Sequence, residues 1–156
     1  MYYLVYGIFY LLSLVPLRIL YILSDALYPL IYYVFGYRRK MVMKNLEIAF
    51  PEKTDAERTR IAKNFYHNFV DNFIETLKIL SAGEKFIKKH FVLDSDPLAT
   101  FYKEGRKCQL HLGHNFNWEL ANVSMPLYTD YPFLAVYMPI KSKVMDRLFL
   151  KLRSKT

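Results

Sequence analysis

Residues 108–119, CQLHLGHNFNWE, decide the predicted fold, because they pass from a strand pattern into a helix start. The run from Cys108 to Leu112 is typical of a strand buried on both faces. Asn117 is a favourable N-cap, so we expect a helix from there to about Met125. Working outward, residues 91–93 and 133–137 are also predicted strands, each followed by a helix.

Alternating strands and helices predict an α/β fold, with a mostly parallel sheet and crossover helices. Three short strands would leave the edges of that sheet bare and its helices partly uncovered. We therefore expect an incomplete sheet, belonging to a longer protein.

A long helix is predicted upstream of the sheet. Thr54 and Glu57 have the spacing of a capping box, which marks a helix N-terminus. Apolar residues then recur at intervals of three and four as far as about Leu80. Asp71 and Glu75 lie among them, one turn apart. We expect them to be solvated carboxylates at the helix edge, with a functional site as the alternative.

The first 36 residues are predicted to be membrane-anchoring helices. Residues 1–17 carry no charged side chain, and a second apolar stretch follows to Gly36. Either the first stretch crosses the bilayer at its lower length limit, or two helices lie in one leaflet. A core helix pair in a soluble protein is the alternative. The basic run Arg38–Lys40 places this end on the cytosolic side.

The composition also favours a membrane surface. Hydrophobic residues make up 53% of the chain and aromatic residues 17%, while the net charge is +8. Lys and Arg are attracted to anionic head groups by roughly 1 kcal/mol each. No nucleic-acid partner is expected, because no zinc-ligand spacing or RNA-binding aromatic motif accompanies the charge. The single cysteine, Cys108, is predicted to be a core thiol.

His114 and Glu119 are the candidate catalytic pair. The predicted strand would deliver His114 to its C-terminal end, where α/β sheets place their ligands. Glu119 would lie in the first turn of the next helix, and the intervening turn would let imidazole and carboxylate meet. The carboxylate could then orient the imidazole, freeing the other ring nitrogen to act as a base. No metal is expected, because strand alternation would point His111 and His114 to opposite faces.

These residues carry a resemblance to a known family. Gly113-His114 followed by Asn117-Trp118-Glu119 is similar to the His-x4-Asp/Glu motif of the glycerolipid acyltransferases. More narrowly, the chain resembles the lipid A late acyltransferases, the lauroyl and myristoyl transferases. Further similarities run along almost the whole chain, through residues 37–40, 44–46, 50–51, 65–80, 136–139, 146–147 and 152–154. Residues 37–156 would then be the N-terminal part of an α/β acyltransferase domain.

The resemblance implies transfer of a fatty acyl chain from acyl carrier protein to a hydroxyl of a membrane glycolipid, a lipid A precursor. His114 would be the general base and Glu119 its orienting group, at the cytoplasmic face of a bacterial inner membrane. Arg153 and Asn117 are the implied substrate-binding residues, and no cofactor is expected. The alternative is a truncated, non-catalytic membrane-associated remnant of that fold.

The predicted last helix, from about Ser142, adds an observation of its own. Lys143, Arg147 and Lys151 recur every four residues, which places them on one face. Acyl carrier proteins are acidic, so this basic stripe could dock one. A solvated helix face explains the same pattern.

Overall fold

The computed structural model describes residues 1–113 and 117–156, and these are mostly helical. The helices, in chain order, are α1 (Tyr2–Leu14), α2 (Leu17–Pro29), a π-helix (Leu30–Val34), α3 (Arg39–Ala49), α4 (Asp55–Ile79), α5 (Glu84–His90), α6 (Asp96–Lys103), α7 (Trp118–Ser124), a 3₁₀ turn (Met125–Leu127) and α8 (Lys143–Arg153).

The predicted α/β fold with a parallel sheet is wrong, because no strand is found in the part of the chain that the structure describes. Residues 91–93, 107–113 and 133–137 lie between helices and form no β-ladder with one another. A strand needs a neighbouring chain segment to accept and donate its backbone hydrogen bonds. An apolar sequence alone supplies no such neighbour.

The exposure of these segments agrees with that correction. Val92 is 83% exposed, and Leu134 and Val136 are 87% and 96% exposed. A strand in the middle of a parallel sheet would bury such side chains on both faces. Apolar composition in these segments therefore does not correspond to burial.

The predicted helices are confirmed where their capping residues are strong. The Thr54 backbone N–H donates to Glu57 Oε2 at 2.8 Å, and the Glu57 backbone N–H donates to Thr54 Oγ1 at 3.3 Å. This reciprocal capping box starts α4, which ends at Ile79, one residue before the predicted end. Ser142 caps α8 with a single hydrogen bond, its hydroxyl accepting from the Met145 backbone N–H.

Helices at the two ends of the chain form one compact unit, residues 1–14 and 75–156. Its core is a cluster of buried apolar side chains from the end of α4, from α5, α7 and α8 and from the connection after α4 (Ile79, Leu80, Ala82, Ile87, Val123 and Leu152). Tyr6 and Phe9 of α1 pack against this cluster. The last turn of α1 is also held by polar contacts, since the Ser13 carbonyl accepts from Lys78 Nζ and Ser81 Oγ.

Residues 15–74 form a second compact unit. Within it, polar contacts join α2 to α4: the Ser24 hydroxyl donates to Asp71 Oδ1 at 2.5 Å, and Asp25 Oδ1 lies 2.8 Å from His67 Nε2. The buried ring of Tyr66 packs edge-on against that of Tyr32 in the π-helix. The sequence predicts membrane-anchoring helices over residues 1–36 and an acyltransferase domain from residue 37. This division stays a prediction, because no membrane is present in the structure.

One helix among the described residues has the length and composition to cross a membrane. It runs from Leu17 to Val34, through α2 and the π-helix, with a mean hydropathy of 1.3. Helix α1 is apolar but shorter, at 13 residues. Core helices of soluble proteins and signal sequences can have the same length and composition, so this helix is weak evidence for a membrane span.

Candidate functional site

Asn117 starts helix α7, as the sequence predicts. Its side-chain Oδ1 accepts from the Leu120 backbone N–H at 3.0 Å, which satisfies one of the free donors at the helix start. A cap of this kind typically stabilises a helix by about 1 kcal/mol. It also fixes where α7 begins, and so places Glu119 in the first turn.

The same asparagine ties α7 to the end of α4. Asn117 Nδ2 donates to Glu75 Oε2 at 3.1 Å, and Thr76 Oγ1 lies 3.4 Å from Asn117 Oδ1. Asn117 is buried, so its amide has hydrogen-bond partners where water is largely excluded. The amide therefore positions a backbone, and its described contacts are structural.

Glu119 forms a buried ion pair with Arg153 of α8. Arg153 Nε donates to Glu119 Oε2 at 2.8 Å, and Arg153 Nη2 donates to Oε1 at 2.5 Å. Glu119 is only 3% exposed. Two parallel N–H donors on one carboxylate fix its orientation as well as its charge. Glu119 is thus held rigidly between α7 and α8.

Aromatic rings surround the guanidinium of Arg153. Its Cζ lies 4.6 Å from the centre of the Tyr137 ring and 5.4 Å from that of Phe149. The hydrogen bonds to Glu119 raise the pKa of Arg153 above its ordinary value, against the opposing effect of burial. Its third nitrogen, Nη1, is buried and has no hydrogen-bond partner within residues 1–113 and 117–156. The N–H groups of Nη1 therefore take no part in the ion pair with Glu119.

His114, the other half of the predicted pair, lies outside the described residues, so its contact with Glu119 stays a prediction. His111 lies within the segment predicted to be a strand, but it is exposed and its segment is irregular. Residues 107–113 are not a strand, so strand alternation does not set the faces on which His111 and His114 lie.

Two further predictions are wrong. Cys108 is an exposed thiol, 3.5 Å from the Tyr131 hydroxyl, and not a core residue. Asp71 and Glu75 are not solvated carboxylates, since each is only partly exposed and accepts a side-chain hydrogen bond. Their position one turn apart among apolar residues of α4 is the signal that could have indicated this.

Comparison with protein families decides the identity of the chain. The family described as bacterial lipid A biosynthesis acyltransferase matches residues 1–156. The chain belongs to this family. Comparison with curated proteins and with solved structures gives no match.

Membership of the lipid A biosynthesis acyltransferase family confirms the resemblance read from the sequence. The match covers every residue of the site described above, including Asn117, Glu119 and Arg153. The family is one of acyltransferases.

Proposed function

We propose that this protein transfers a fatty acyl chain from acyl carrier protein to a hydroxyl of a membrane glycolipid, a lipid A precursor. The observation that carries the proposal is Glu119, a buried and rigidly held carboxylate five residues after His114 in a member of an acyltransferase family. This carboxylate is suited to orienting an imidazole, because the two hydrogen bonds from Arg153 hold it in one orientation.

In the proposed reaction, His114 takes the proton of the acceptor hydroxyl as general base. The resulting oxygen nucleophile attacks the thioester carbonyl of the acyl donor. The carbon–sulfur bond then breaks, and the carrier's sulfur leaves with the proton held by His114. An ester is formed and a thiol is released, so no oxidant or cofactor takes part in the step.

Glu119 would orient His114 and stabilise its protonated form during transfer. Both Glu119 oxygens already accept from Arg153, but a carboxylate has about four acceptor sites, so sites remain for an imidazole N–H. Arg153 then has two roles. It positions Glu119 through Nε and Nη2, and Nη1 is the donor left for a substrate oxygen. Negative charge develops on the thioester oxygen, which such a donor would stabilise.

The proposal also includes the cellular location of the protein. Residues 1–36 would anchor the protein to the inner membrane, and residues 37–156 would belong to the acyltransferase domain on the cytoplasmic face. The candidate span Leu17–Val34 and the basic run Arg38–Lys40 support this arrangement. An anionic membrane surface is the expected partner besides the carrier protein and the glycolipid.

A comparison of two histidine variants tests the reaction. His114→Ala should lower kcat/KM for acyl transfer by about 10²- to 10⁴-fold, the usual contribution of a general base. His111→Ala is the matched control, because His111 is exposed and lies three residues earlier. It should keep transfer within about twofold of the unaltered protein. Mass spectrometry of the acylated glycolipid measures both.

Near-normal transfer by His114→Ala would overturn the proposed mechanism. If the unaltered protein binds membranes but acylates no glycolipid, the non-catalytic alternative is favoured instead. Equal losses in the two histidine variants would point to a structural disturbance of the segment and would also count against a specific base.

A further inference from the structure

The candidate span Leu17–Val34 runs antiparallel to α4 within the second unit, residues 15–74. Its contacts with α4 form a series in which residue numbers rise along one segment and fall along the other. The series joins Ser24 to Asp71, Asp25 and Tyr28 to His67, Tyr32 to Tyr66, and Tyr33 to Lys63. The two segments therefore lie side by side over about two and a half turns.

The middle of the candidate span is polar. Asp25 lies halfway along its 18 residues, and Asp25 Oδ1 is 2.8 Å from His67 Nε2. The Ser24 hydroxyl donates to Asp71 Oδ1 at 2.5 Å, and Asp71 Oδ2 lies 3.2 Å from His67 Nδ1. Both ring nitrogens of His67 thus face carboxylates. This polar cluster joins the centre of the candidate span to α4.

This pairing is incompatible with a bilayer crossing by Leu17–Val34. With Asp25 at the bilayer centre, His67 would lie there too, and roughly 30 Å of hydrocarbon would cover about ten residues of α4 on either side. That stretch of α4 exposes polar side chains to the surroundings (Arg60, Asn64 and Asn68). Charged and polar groups facing acyl chains are strongly unfavourable, so a crossing would carry α4 into a solvent that its surface does not suit.

The side of α2 that faces away from α4 is apolar and exposed. At about 100° per residue, five exposed apolar side chains fall within one arc of about 100° (Ile19, Ile22, Leu23, Ala26 and Leu30). Ser24 and Tyr28, which contact α4, lie opposite this arc. Contiguous apolar surfaces on proteins typically mark a place where an interaction covers them. Helix α2 therefore has one protein-facing side and one apolar side that is uncovered.

Positive charge accompanies the apolar arc of α2. Residues 15–44 contain a single acidic residue, Asp25, and five cations (Arg18, Arg38, Arg39, Lys40 and Lys44). Arg18 is exposed and lies about 40° from Ile22 around the helix, so a surface that covers the arc meets this charge at its border. The basic run Arg38–Lys40 follows the segment after a short turn. An anionic lipid leaflet complements both the apolar arc and these charges.

We propose that Leu17–Val34 lies in the plane of an anionic membrane leaflet, with the arc of α2 in the acyl chains and α4 on the aqueous side. The inference rests on the membrane attachment already proposed, and it names the surface that makes the contact and excludes a crossing by this segment. In-plane amphipathic helices bury their apolar face about 5–10 Å into the boundary between head groups and acyl chains. The cluster at Asp25 and His67 then stays outside the hydrocarbon.

Depth measurements on the full chain test this orientation. Spin labels are attached singly to Ile19→Cys, Leu30→Cys and Asn68→Cys in a Cys108→Ser background, and the protein is bound to vesicles of phosphatidylcholine and phosphatidylglycerol. We expect the labels at Ile19→Cys and Leu30→Cys to lie at similar depths below the phosphates, because both positions belong to the arc. Asn68→Cys is the control on α4, and its label should stay accessible to a water-soluble relaxation agent.

A crossing segment would give a different pattern of depths. It would separate Ile19 from Leu30 by about 16 Å along the membrane normal, at about 1.5 Å per residue. It would also carry the label at Asn68→Cys into the acyl chains, beyond the reach of the water-soluble agent. Either result would overturn the proposal.

Vesicle binding tests whether the arc itself makes the contact. Ile19→Gln/Ile22→Gln should weaken binding of the full chain to the same vesicles by about 30-fold, because two exposed aliphatic side chains lose their burial. The matched control is Met41→Gln/Ile48→Gln, which removes two exposed apolar side chains from α3 of the same unit. It should leave binding almost unchanged. Equal losses in the two double variants would contradict the proposal, because apolar content alone would then explain binding.

Two further measurements separate this proposal from its alternatives. Analytical ultracentrifugation without vesicles follows self-association. If Ile19→Gln/Ile22→Gln abolishes a dimer and leaves vesicle binding unchanged, the arc is covered by a second copy of the chain and the lipid assignment is wrong. Acyl transfer in detergent micelles is measured in parallel. A lack of transfer by the unaltered protein there would reject the proposed reaction, while the depths and the vesicle binding would still judge the surface.

Discussion

Helix α8 carries cations in two contrasting surroundings. Arg153 is largely buried, with two nitrogens on the Glu119 carboxylate. Arg147 and Lys151, six and two residues earlier on the helix, are exposed and lie over tyrosine rings of α1. The three residues belong to one helix of 11 residues, so helix formation does not distinguish them.

The contrast teaches what each charge can contribute. A buried ion pair gains from close, fixed geometry, and losing one partner leaves an uncompensated charge in the interior. An exposed cation interacts weakly with its neighbours and mainly sets the local potential, which salt screens. Arg153 is therefore suited to fixing the Glu119 carboxylate in place, whereas Arg147 and Lys151 mainly add to the positive potential at the surface.

The largest expected effect comes from breaking the buried pair. Arg153→Gln should lower the free energy of unfolding by about 3–5 kcal/mol, because Glu119 would stay buried without its partner. Arg147→Gln, its exposed counterpart, should lower stability by only about 0.5–1 kcal/mol, the usual contribution of an exposed cation over an aromatic ring. Urea unfolding followed by circular dichroism measures both variants.

The double variant Arg153→Gln/Glu119→Gln sharpens this result. It removes both charges, so it should recover part of the stability lost in Arg153→Gln alone. If the double variant is no more stable than Arg153→Gln, the ion pair is not the source of the effect, and the comparison between the two surroundings fails.

A smaller effect is expected on the exposed side of α8. The contact between Lys151 and the Tyr6 ring should contribute about 0.5–1 kcal/mol to stability at an exposed position. A double-mutant cycle with Lys151→Gln and Tyr6→Leu isolates that coupling. A coupling of several kcal/mol would mean that this contact is structural in the way the buried pair is, and no coupling would mean that the ring does not bind the ammonium.

The helices could be predicted because their signals are local. The Thr54–Glu57 capping box and the caps at Asn117 and Ser142 each depend on residues within one turn. The predicted sheet was wrong, because a strand depends on a partner distant in sequence, which local composition does not reveal. Residues 133–137 have strand-like composition, yet Val136 is almost fully exposed and pairs with no described segment.

In the candidate site, too, the local features could be predicted and the long-range contacts could not. The position of Glu119 in the first turn of α7 follows from the Asn117 cap and was predicted. Its partner Arg153 is 34 residues away, and Asn117 meets Glu75 at a separation of 42 residues. Such pairings are decided by how the helices pack, and no spacing in the sequence encodes them.

The central claim is that His114 and Glu119 act as one catalytic unit, and a double-mutant cycle on acyl transfer tests it most directly. His114→Ala, Glu119→Gln and the double variant are compared by kcat/KM, with circular dichroism verifying that each is folded. Residues acting as a unit are strongly non-additive. We predict that the double variant is no slower than His114→Ala alone. A double variant slower by the product of the two single losses would contradict the account.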